Sequence, residues 1–295
     1  MTITTPPAAT QPRGNVRNLA AERVDRAVPQ AVLEALRTIT TRFAEPLTLD
    51  MLAAEVFVSP FHFSRVFAKA TGTTPGRYLS AVRMFEAKRL LLTTDATVSD
   101  IVCAVGYSSV GTFTTRFTSA VGMTPSQYRD PGVRDLLLAV APHFQQLPSR
   151  AALQAAAAAQ SAEPDACSAT VQVRAVLDDD LRPADLVVGV FADSVPQCAP
   201  VAWTAVSGTG TATVPVPGVP AGRWTVLAAA EHRRPDGSVV PLIGALRSSF
   251  TIGDHEEALL RLRMRALRPS DPPFAVTFAR AAERPLTPVA ALRAA

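Results

Sequence analysis

The spacing of apolar residues divides the chain into a helical part and a strand-rich part. Between residues 29 and 131, apolar side chains recur every three or four positions, as on one face of an α-helix. Between residues 167 and 280, the period changes to two, and turn signals such as RPDG separate short runs. We therefore predict a multidomain α plus β protein, in which an all-α domain at 29–131 precedes an antiparallel β-sandwich at 167–280.

Three further segments show neither period. Residues 1–28, rich in Thr, Pro, Ala and Arg, are expected to form a disordered N-terminal arm, and residues 281–295 a frayed C-terminal tail. Residues 132–166 are expected to be a linker between the two domains. Within it, Asp135–Ala141 is expected to add a helical turn or two, and the Ala-rich stretch at 151–164 to be partly helical.

Capping residues predict where the helices of the α domain begin and end. A first amphipathic helix is expected from Pro29 to Phe43, and a long helix from Thr74-Pro75 to about Thr93. The other expected helix starts are Thr48, Ser59-Pro60, Thr97, Ser108 or Ser109, and Thr124-Pro125, with ends at Gly72 and Gly122. A short helix, a turn and a capped helix thus occur on both sides of the long helix, which is the pattern of a double helix-turn-helix.

Runs of alternating apolar residues predict the strands of the second domain. The predicted strands are Ala169–Leu177, Leu186–Ala192, Val201–Val206, Ala212–Val216, Trp224–Ala230, Val239–Ala245, Ser248–Ile252 and Ala258–Arg265. Trp203 and Trp224 fall within two of these strands, where they either fill the sandwich core or line a ligand cleft.

The helix that begins after Ser59 has one basic face. Its core-facing side consists of Phe63, Val66, Phe67 and Ala70. The opposite side consists of Phe61, Ser64, Arg65, Ala68 and Lys69, with His62 at the edge and no acidic residue. Such a face suits the major groove of DNA, where an arginine can donate two hydrogen bonds to guanine and an aromatic ring can contact a thymine methyl group. An ordinary solvated helix face is the alternative interpretation.

The repetition of the unit favours DNA binding. The long helix between the two units is about 28 Å long at 1.5 Å per residue. Successive major-groove entries on one face of B-DNA are about 34 Å apart. A connector of this length holds two recognition helices about one turn of DNA apart, so a single chain supplies the two readers of a helix-turn-helix dimer.

Composition restricts the possible partners and compartment of the protein but suggests no further function. The formal net charge of +4 permits a polyanionic partner without requiring one. Three cysteines without a CxxC spacing argue against a disulfide or zinc framework and suit a reducing cytoplasm. The N-terminus has no signal-peptide pattern, and no apolar run approaches the ~20 residues of a membrane helix. We therefore expect a cytoplasmic protein that makes no membrane contact.

Residues 31–131 resemble the AraC/XylS family of transcriptional regulators. The resemblance rests on the repeated unit and on three sets of residues: Arg83 with Ala87-Lys88-Arg89-Leu90-Leu91; Ile101 with Val105-Gly106-Tyr107-Ser108-Ser109; and Phe113, Phe117, Gly122, Pro125 and Tyr128-Arg129. It implies binding to double-stranded promoter DNA and activation or repression of transcription. RNA polymerase and a small-molecule effector, sensed by another domain, become candidate partners.

Both units depart from the family pattern. The first turn usually has glycine where this chain has Phe57, and the groove-facing arginine of the second unit falls at Thr115, one position before Arg116. We therefore expect the first unit to supply more base recognition, and the second to supply hydroxyl and phosphate contacts. The candidate DNA-binding residues are Ser59, Phe61, His62, Ser64, Arg65 and Lys69 in the first unit, and Ser109, Gly111, Thr112, Thr114, Thr115 and Arg116 in the second.

Other candidate sites have less support. Asp178-Asp179-Asp180 with Asp185 suggest either a calcium site or a solvated turn. His232, just before a hairpin tip, is expected to be exposed, and His255 to lie in a loop. The chain has no GxSxG, HExxH, P-loop or dinucleotide motif, so we expect no enzyme, no metal site and no cofactor.

The β domain resembles transthyretin and carboxypeptidase-regulatory modules in the stretches VPAGRWTVLAAA and VVPLIGALRSSFTI. Such a module binds an effector, dimerises the protein or contacts another protein. The hypothesis is thus a sequence-specific DNA-binding transcription regulator whose two helix-turn-helix units read successive major grooves. The alternative is a protein-interaction or small-ligand-binding module in which the β-sandwich carries the main activity.

Overall fold

A computed structural model describes residues 19–20, 28–160, 168–181, 184–246 and 248–279. The predicted tail at 281–295, most of the predicted N-terminal arm and the end of the predicted linker lie outside these residues. The described chain has a helical part followed by a part built of three sheets. The predicted α plus β fold class is confirmed.

The helices follow the predicted order. Their bounds are α1 Gln30–Arg42, α2 Leu49–Glu55, α3 Pro60–Thr71, α4 Pro75–Thr93, α5 Val98–Ala104, α6 Val110–Val121, α7 Pro125–Tyr128, α8 Pro131–Asp135 and α9 Arg150–Gln160. The side-chain oxygens of six capping residues each accept a hydrogen bond from the amide three residues later: Thr48, Ser59, Thr74, Thr97, Ser109 and Thr124. Gly72 and Gly122 end α3 and α6 in the left-handed conformation.

The turns before α3 and α6 both contain a residue with positive φ, but their surroundings differ. Gly106 has a φ of +80°, and a Cβ atom there would lie 2.4 Å from the carbonyl oxygen of Ala44. Only glycine fits so close to a backbone atom. Phe57 has a φ of +55°, which is strained for a bulky residue, yet its side chain is 95% exposed. Open space therefore lets the first turn form without glycine.

Each helix-turn-helix unit has its own apolar core, and α4 contributes to both. In the first unit, Phe63 and Phe67 pack together and Phe67 meets Tyr78 of α4 edge-on, with ring centroids 5.6 Å apart in each pair. The second unit repeats this arrangement with Phe113, Phe117 and Tyr128 at 5.5 Å.

The strands form three sheets. Their bounds are β1 Leu19–Ala20, β2 Leu137–Ala141, β3 Phe144–Gln146, β4 Ala169–Val176, β5 Ala184–Phe191, β6 Ala202–Thr209, β7 Ala212–Val219, β8 Gly222–Arg233, β9 Val239–Ala245, β10 Phe250–Ile252, β11 Glu257–Arg263, β12 Arg265–Ala266 and β13 Phe274–Thr277. The sheet orders are β1-β11-β4-β7, β12-β9-β8-β5-β6 with β10 beside β8, and β13-β2-β3. Strand β11 runs parallel to β4 and to β1, so the predicted antiparallel pairing is wrong for these strands.

The sheet that contains β5 is the middle layer of the β part. On one face, Val188 and Val190 pack in a core shared with β4 and β7. On the other face, Val187 and Phe191 pack in a second core with side chains of β2 and β13. Because β5 is buried on both faces, its sequence is a continuous apolar run instead of an alternation.

The structure differs from the expected linker at residues 137–146. These residues form β2 and β3, and β2 pairs with β13 from the far end of the described chain. The helical turns expected at Asp135–Ala141 are wrong, because α8 ends at Asp135 and Leu137–Ala141 is strand. Every residue of β2 is buried, so the period-two pattern that marks a half-exposed strand is missing. The Ala-rich stretch is helical to Gln160, as α9.

Within the described ranges, no helix combines the length and the apolar content that crossing a membrane requires.

Candidate nucleic-acid interface

Helix α3 presents its basic face to solvent. Phe63 and Phe67 hold the opposite side of the helix in the core, where they are at most 1% exposed. On the outer side, Phe61 is 80% exposed. His62, Arg65 and Lys69 are also exposed, and Ser64 is half-buried. An aromatic ring and two full positive charges thus share a surface that a phosphate-lined groove can accept.

Helix α6 presents a face rich in hydroxyl groups. Among the candidate residues of this helix, Gly111, Thr112, Thr115 and Arg116 are exposed, and Thr114 is half-buried. Threonine hydroxyls both donate and accept hydrogen bonds, so this face can contact phosphates and base edges. Arg116 is the charged group on this side of the helix, and it reaches solvent.

Ser59 and Ser109 also have a structural role. The Oγ atom of Ser59 accepts a hydrogen bond from the amide of His62 at 3.4 Å, and that of Ser109 from the amide of Thr112 at 3.3 Å. Each bond satisfies one of the unpaired amides at a helix start. The hydroxyl hydrogen is not used in this bond and can be donated to a phosphate.

Helix α4 joins the two units without a break over 19 residues. Arg83, near its middle, donates hydrogen bonds to the carbonyl oxygens of Phe43 and Glu45 at 2.7 and 2.6 Å. The same guanidinium lies over the ring of Tyr107, 5.8 Å from its centroid. Arg83 therefore ties the connector to the chain before the first unit and to the turn of the second.

Lys88 of α4 is fully buried, which the sequence analysis did not predict. Its Nζ atom donates to the carbonyl oxygens of Gln197 and Ala275 at 2.7 and 2.6 Å, and to the Oε1 atom of Gln197 at 3.1 Å. Burial lowers the pKa of Lys88 to about 7, while the three oxygen acceptors match the three N–H groups of the ammonium form. These acceptors lie far along the chain, so local pattern contains no signal for them.

The other candidates of the sequence analysis have ordinary structural surroundings. His232 is buried within β8, so its predicted exposure is wrong, because that strand extends to Arg233. Trp203 packs on Phe278 with ring centroids 4.7 Å apart, as a core residue. The carboxylate of Asp185 accepts a hydrogen bond from the amide of Gly208. The described residues contain no group of three or more His, Cys, Asp or Glu placed to hold a metal ion.

Two capped, solvent-facing helices on either side of one continuous helix define a double helix-turn-helix domain. Residues 52–131 match a helix-turn-helix domain family. The chain is 36% identical over 109 residues to the transcriptional activator AarP of Providencia stuartii, covering 36% of this chain and 81% of that protein. It is 37% identical over 91 residues to the bifunctional transcriptional activator/DNA repair enzyme AdaA of Bacillus subtilis, covering 31% of this chain and 43% of that protein.

The chain belongs to the AraC family of transcriptional regulators. A solved AraC-type regulator from Chromobacterium violaceum is 30% identical, covers 34% of this chain and 88% of that chain, and has a TM-score of 0.32. The chain spans 37% to 43% of the length of AdaA and of two other curated relatives, including the lactose operon transcription activator of Staphylococcus xylosus.

Proposed function

We propose that this chain regulates transcription by binding double-stranded DNA with α3 and α6 in two successive major grooves. The observation that carries the proposal is the exposure of both recognition faces at the two ends of one unbroken connector helix. That helix is about 28 Å long, close to the about 34 Å between groove entries on one face of the duplex.

The two units have different tasks in this proposal. Arg65 donates paired hydrogen bonds to a guanine, and Phe61 contacts a thymine methyl group. His62, Ser64 and Lys69 contribute further contacts from the same face. On α6, Thr112, Thr114 and Thr115 supply hydroxyl contacts beside Gly111, and Arg116 reaches a phosphate. Ser59 and Ser109 each bring a helix N-terminus to the DNA backbone.

The proposal places the protein in the cytoplasm and assigns it no catalytic step. RNA polymerase and a small-molecule effector stay candidate partners without an assigned surface. The alternative, in which the β part carries the main activity as a ligand-binding module, has less support because Trp203, one of its two candidate cleft residues, fills a core.

Footprinting the purified protein on the DNA upstream of its own gene tests the proposal. We expect two protected patches on one face, about 10 base pairs apart. The logarithm of the binding constant should fall linearly with the logarithm of salt concentration, with a slope of about −0.9 for each phosphate neutralised. The absence of both a footprint and a salt slope would support the alternative in which the β part carries the main activity.

A further inference from the structure

The β part contacts the connector helix from its first turn to Lys88. Toward the N-terminus of α4, Arg77 pairs with Asp193 at 2.6 Å, and the hydroxyl of Tyr78 donates to the carbonyl oxygens of Pro269 and Asp271 at 3.3 and 3.1 Å. Asp271 is itself held by an ion pair with Arg265.

Toward the C-terminus of α4, Glu86 meets the β2–β3 hairpin. Its Oε1 atom lies 2.7 Å from the Nε2 atom of His143, and its Oε2 atom pairs with Arg89 at 2.8 Å. The ring of Phe85 meets the rings of His143 and Phe144 edge-on. From residue 77 to residue 88, these contacts span about 17 Å of helix.

Lys88 joins three structural elements at one buried point. Its amine bonds to Ala275 of β13, to Gln197 in the loop after β5, and lies 5.9 Å from the ring centroid of Tyr128 in α7. A buried amine held by three oxygen acceptors is strongly oriented, because moving away would leave the amine and the carbonyl groups without hydrogen bonds. Lys88 therefore fixes α4 to the β part and to the second unit together.

Strand β2 makes the second unit and the β part share a core. Leu137, Ala139 and Ala141 belong to the same buried core as Phe113 and Phe117 of α6. The alternate residues, Leu138 and Val140, pack on the middle sheet instead. A strand with both faces buried cannot shift without exposing apolar surface on each side.

We propose that these β segments form a clamp that fixes the connector helix and thereby the spacing of the two DNA-reading units. The clamp consists of the hairpin at 137–146, the loop at 192–201 and the segment 267–277. It gives the β part a positioning role in DNA recognition. The buried core of the first unit comes from α1 to α4 and the residues between them, so that unit is placed by the clamped connector.

The labelling rates of two lysines measure whether the clamp covers the connector helix. Lys69 is exposed on α3, and Lys88 is buried under the clamp. In the full chain without DNA, an amine-reactive reagent should modify Lys69 at least about tenfold faster than Lys88, because modification of Lys88 requires opening. Equal labelling rates in the folded protein would overturn the clamp.

A conservative variant tests whether the clamp acts as a unit. Tyr78→Phe removes only the hydroxyl that bonds to residues 269 and 271, so the fold is kept. It should raise the labelling rate of Lys88 by about threefold or more relative to Lys69. Arg174→Met, at an exposed position of β4, is the matched control and should leave the ratio unchanged. If Tyr78→Phe leaves the ratio of the Lys88 and Lys69 labelling rates unchanged, the contacts of the clamp do not act together.

The spacing claim rests on the proposed DNA binding and is tested with a duplex selected by the wild-type protein from a random-sequence library. Inserting one base pair between the two contacted half-sites should weaken wild-type and Arg174→Met binding by about tenfold. In Tyr78→Phe and Lys88→Met, the loss should be about threefold smaller, because a loosened connector adapts to the new spacing.

The outcomes separate the two proposals. Suppose that faster labelling of Lys88 shows a loosened clamp in Tyr78→Phe, while the inserted base pair weakens binding of both variants as much as that of the wild type. That result would show that the clamp does not set the spacing of the two units. Failure of the wild-type protein to select any duplex would refute the proposed function, while the labelling rates would still decide whether the clamp exists.

Discussion

The burial of Lys88 changes the pKa of its amine and should make the stability of the protein depend on pH. Its amine is held by oxygen acceptors, yet desolvation lowers its pKa to about 7 from an ordinary value of 10.5. Between these two values, the unfolded chain binds a proton that the folded chain does not. Stability should therefore rise with pH in this window, and the gain is lost as pH falls to about 7.

The prediction for Lys88 is a pH-dependent difference between wild type and Lys88→Met. The free energy of unfolding of the wild type, minus that of the variant, should increase by about 1.4 kcal/mol for each pH unit between about 7.5 and 9. Denaturant titrations at several pH values measure it. A difference that stays constant with pH would mean that the three acceptors keep the lysine charged throughout.

Arg65 and Thr115 occupy equivalent positions in the two units, so their substitution compares the two readers. Arg65→Ala should weaken binding by about 1–3 kcal/mol and relax base preference at one position, because a paired hydrogen-bonding group is lost. Thr115→Ala should cost less, since one hydroxyl offers a weaker contact. Binding assays at fixed salt on a selected duplex and its single-base variants measure both effects. Equal losses would contradict the expected asymmetry.

At the scale of the element, the two turns reach similar backbone conformations by different means. Phe57 has a left-handed backbone conformation and a side chain in solvent. Gly106 has the same conformation but lies against the backbone of Ala44. The strain at Phe57 is about 1–2 kcal/mol for a residue with a Cβ atom. The rest of the first unit compensates for it through the cap at Ser59 and the buried rings of α3.

Two substitutions at Phe57 separate strain from side-chain loss. Both Phe57→Gly and Phe57→Ala remove the exposed ring, but only glycine relieves the positive φ. The glycine variant should therefore be more stable than the alanine variant by about 1 kcal/mol, after allowing for its greater freedom when unfolded. Thermal unfolding of the two variants measures the difference. A more stable alanine variant would show that the turn relaxes to another conformation.

At the scale of the whole molecule, shared cores should couple the helical part to the β part. One face of strand β2 contributes to the core of the second unit, and the other face packs on the middle sheet. The chain's two tryptophans, Trp203 and Trp224, lie in the β part, whereas most helical residues lie before it. Tryptophan fluorescence and helical circular dichroism thus report on different parts.

We expect the two signals to show the same denaturant midpoint, as in a single cooperative transition. Leu138→Ala, which removes apolar contacts between β2 and the middle sheet, should lower stability by about 2–5 kcal/mol and separate the midpoints. Two separate transitions in the wild type would indicate independent domains and would also weaken the case for the clamp.

The local sequence determined the helical part, because its signals act within a few residues. Caps such as Ser59 and Thr97 satisfy amides three positions away, and Gly72 ends its own helix, so both can be read without knowledge of the fold. The surface residues of α3 and α6 follow from the same helical period. Their contact with DNA stays a prediction.

The tertiary structure decided the features that depend on partners far along the chain. Strand β2 has no alternating pattern because both of its faces are buried, and Lys88 finds its acceptors at residues 197 and 275. Residues 137–146 resemble a linker in sequence, yet they join the second reader to the β part. A strand that is buried on both faces lacks the alternating polar positions by which a strand is recognised in a sequence. Its place in the fold is therefore set by long-range packing.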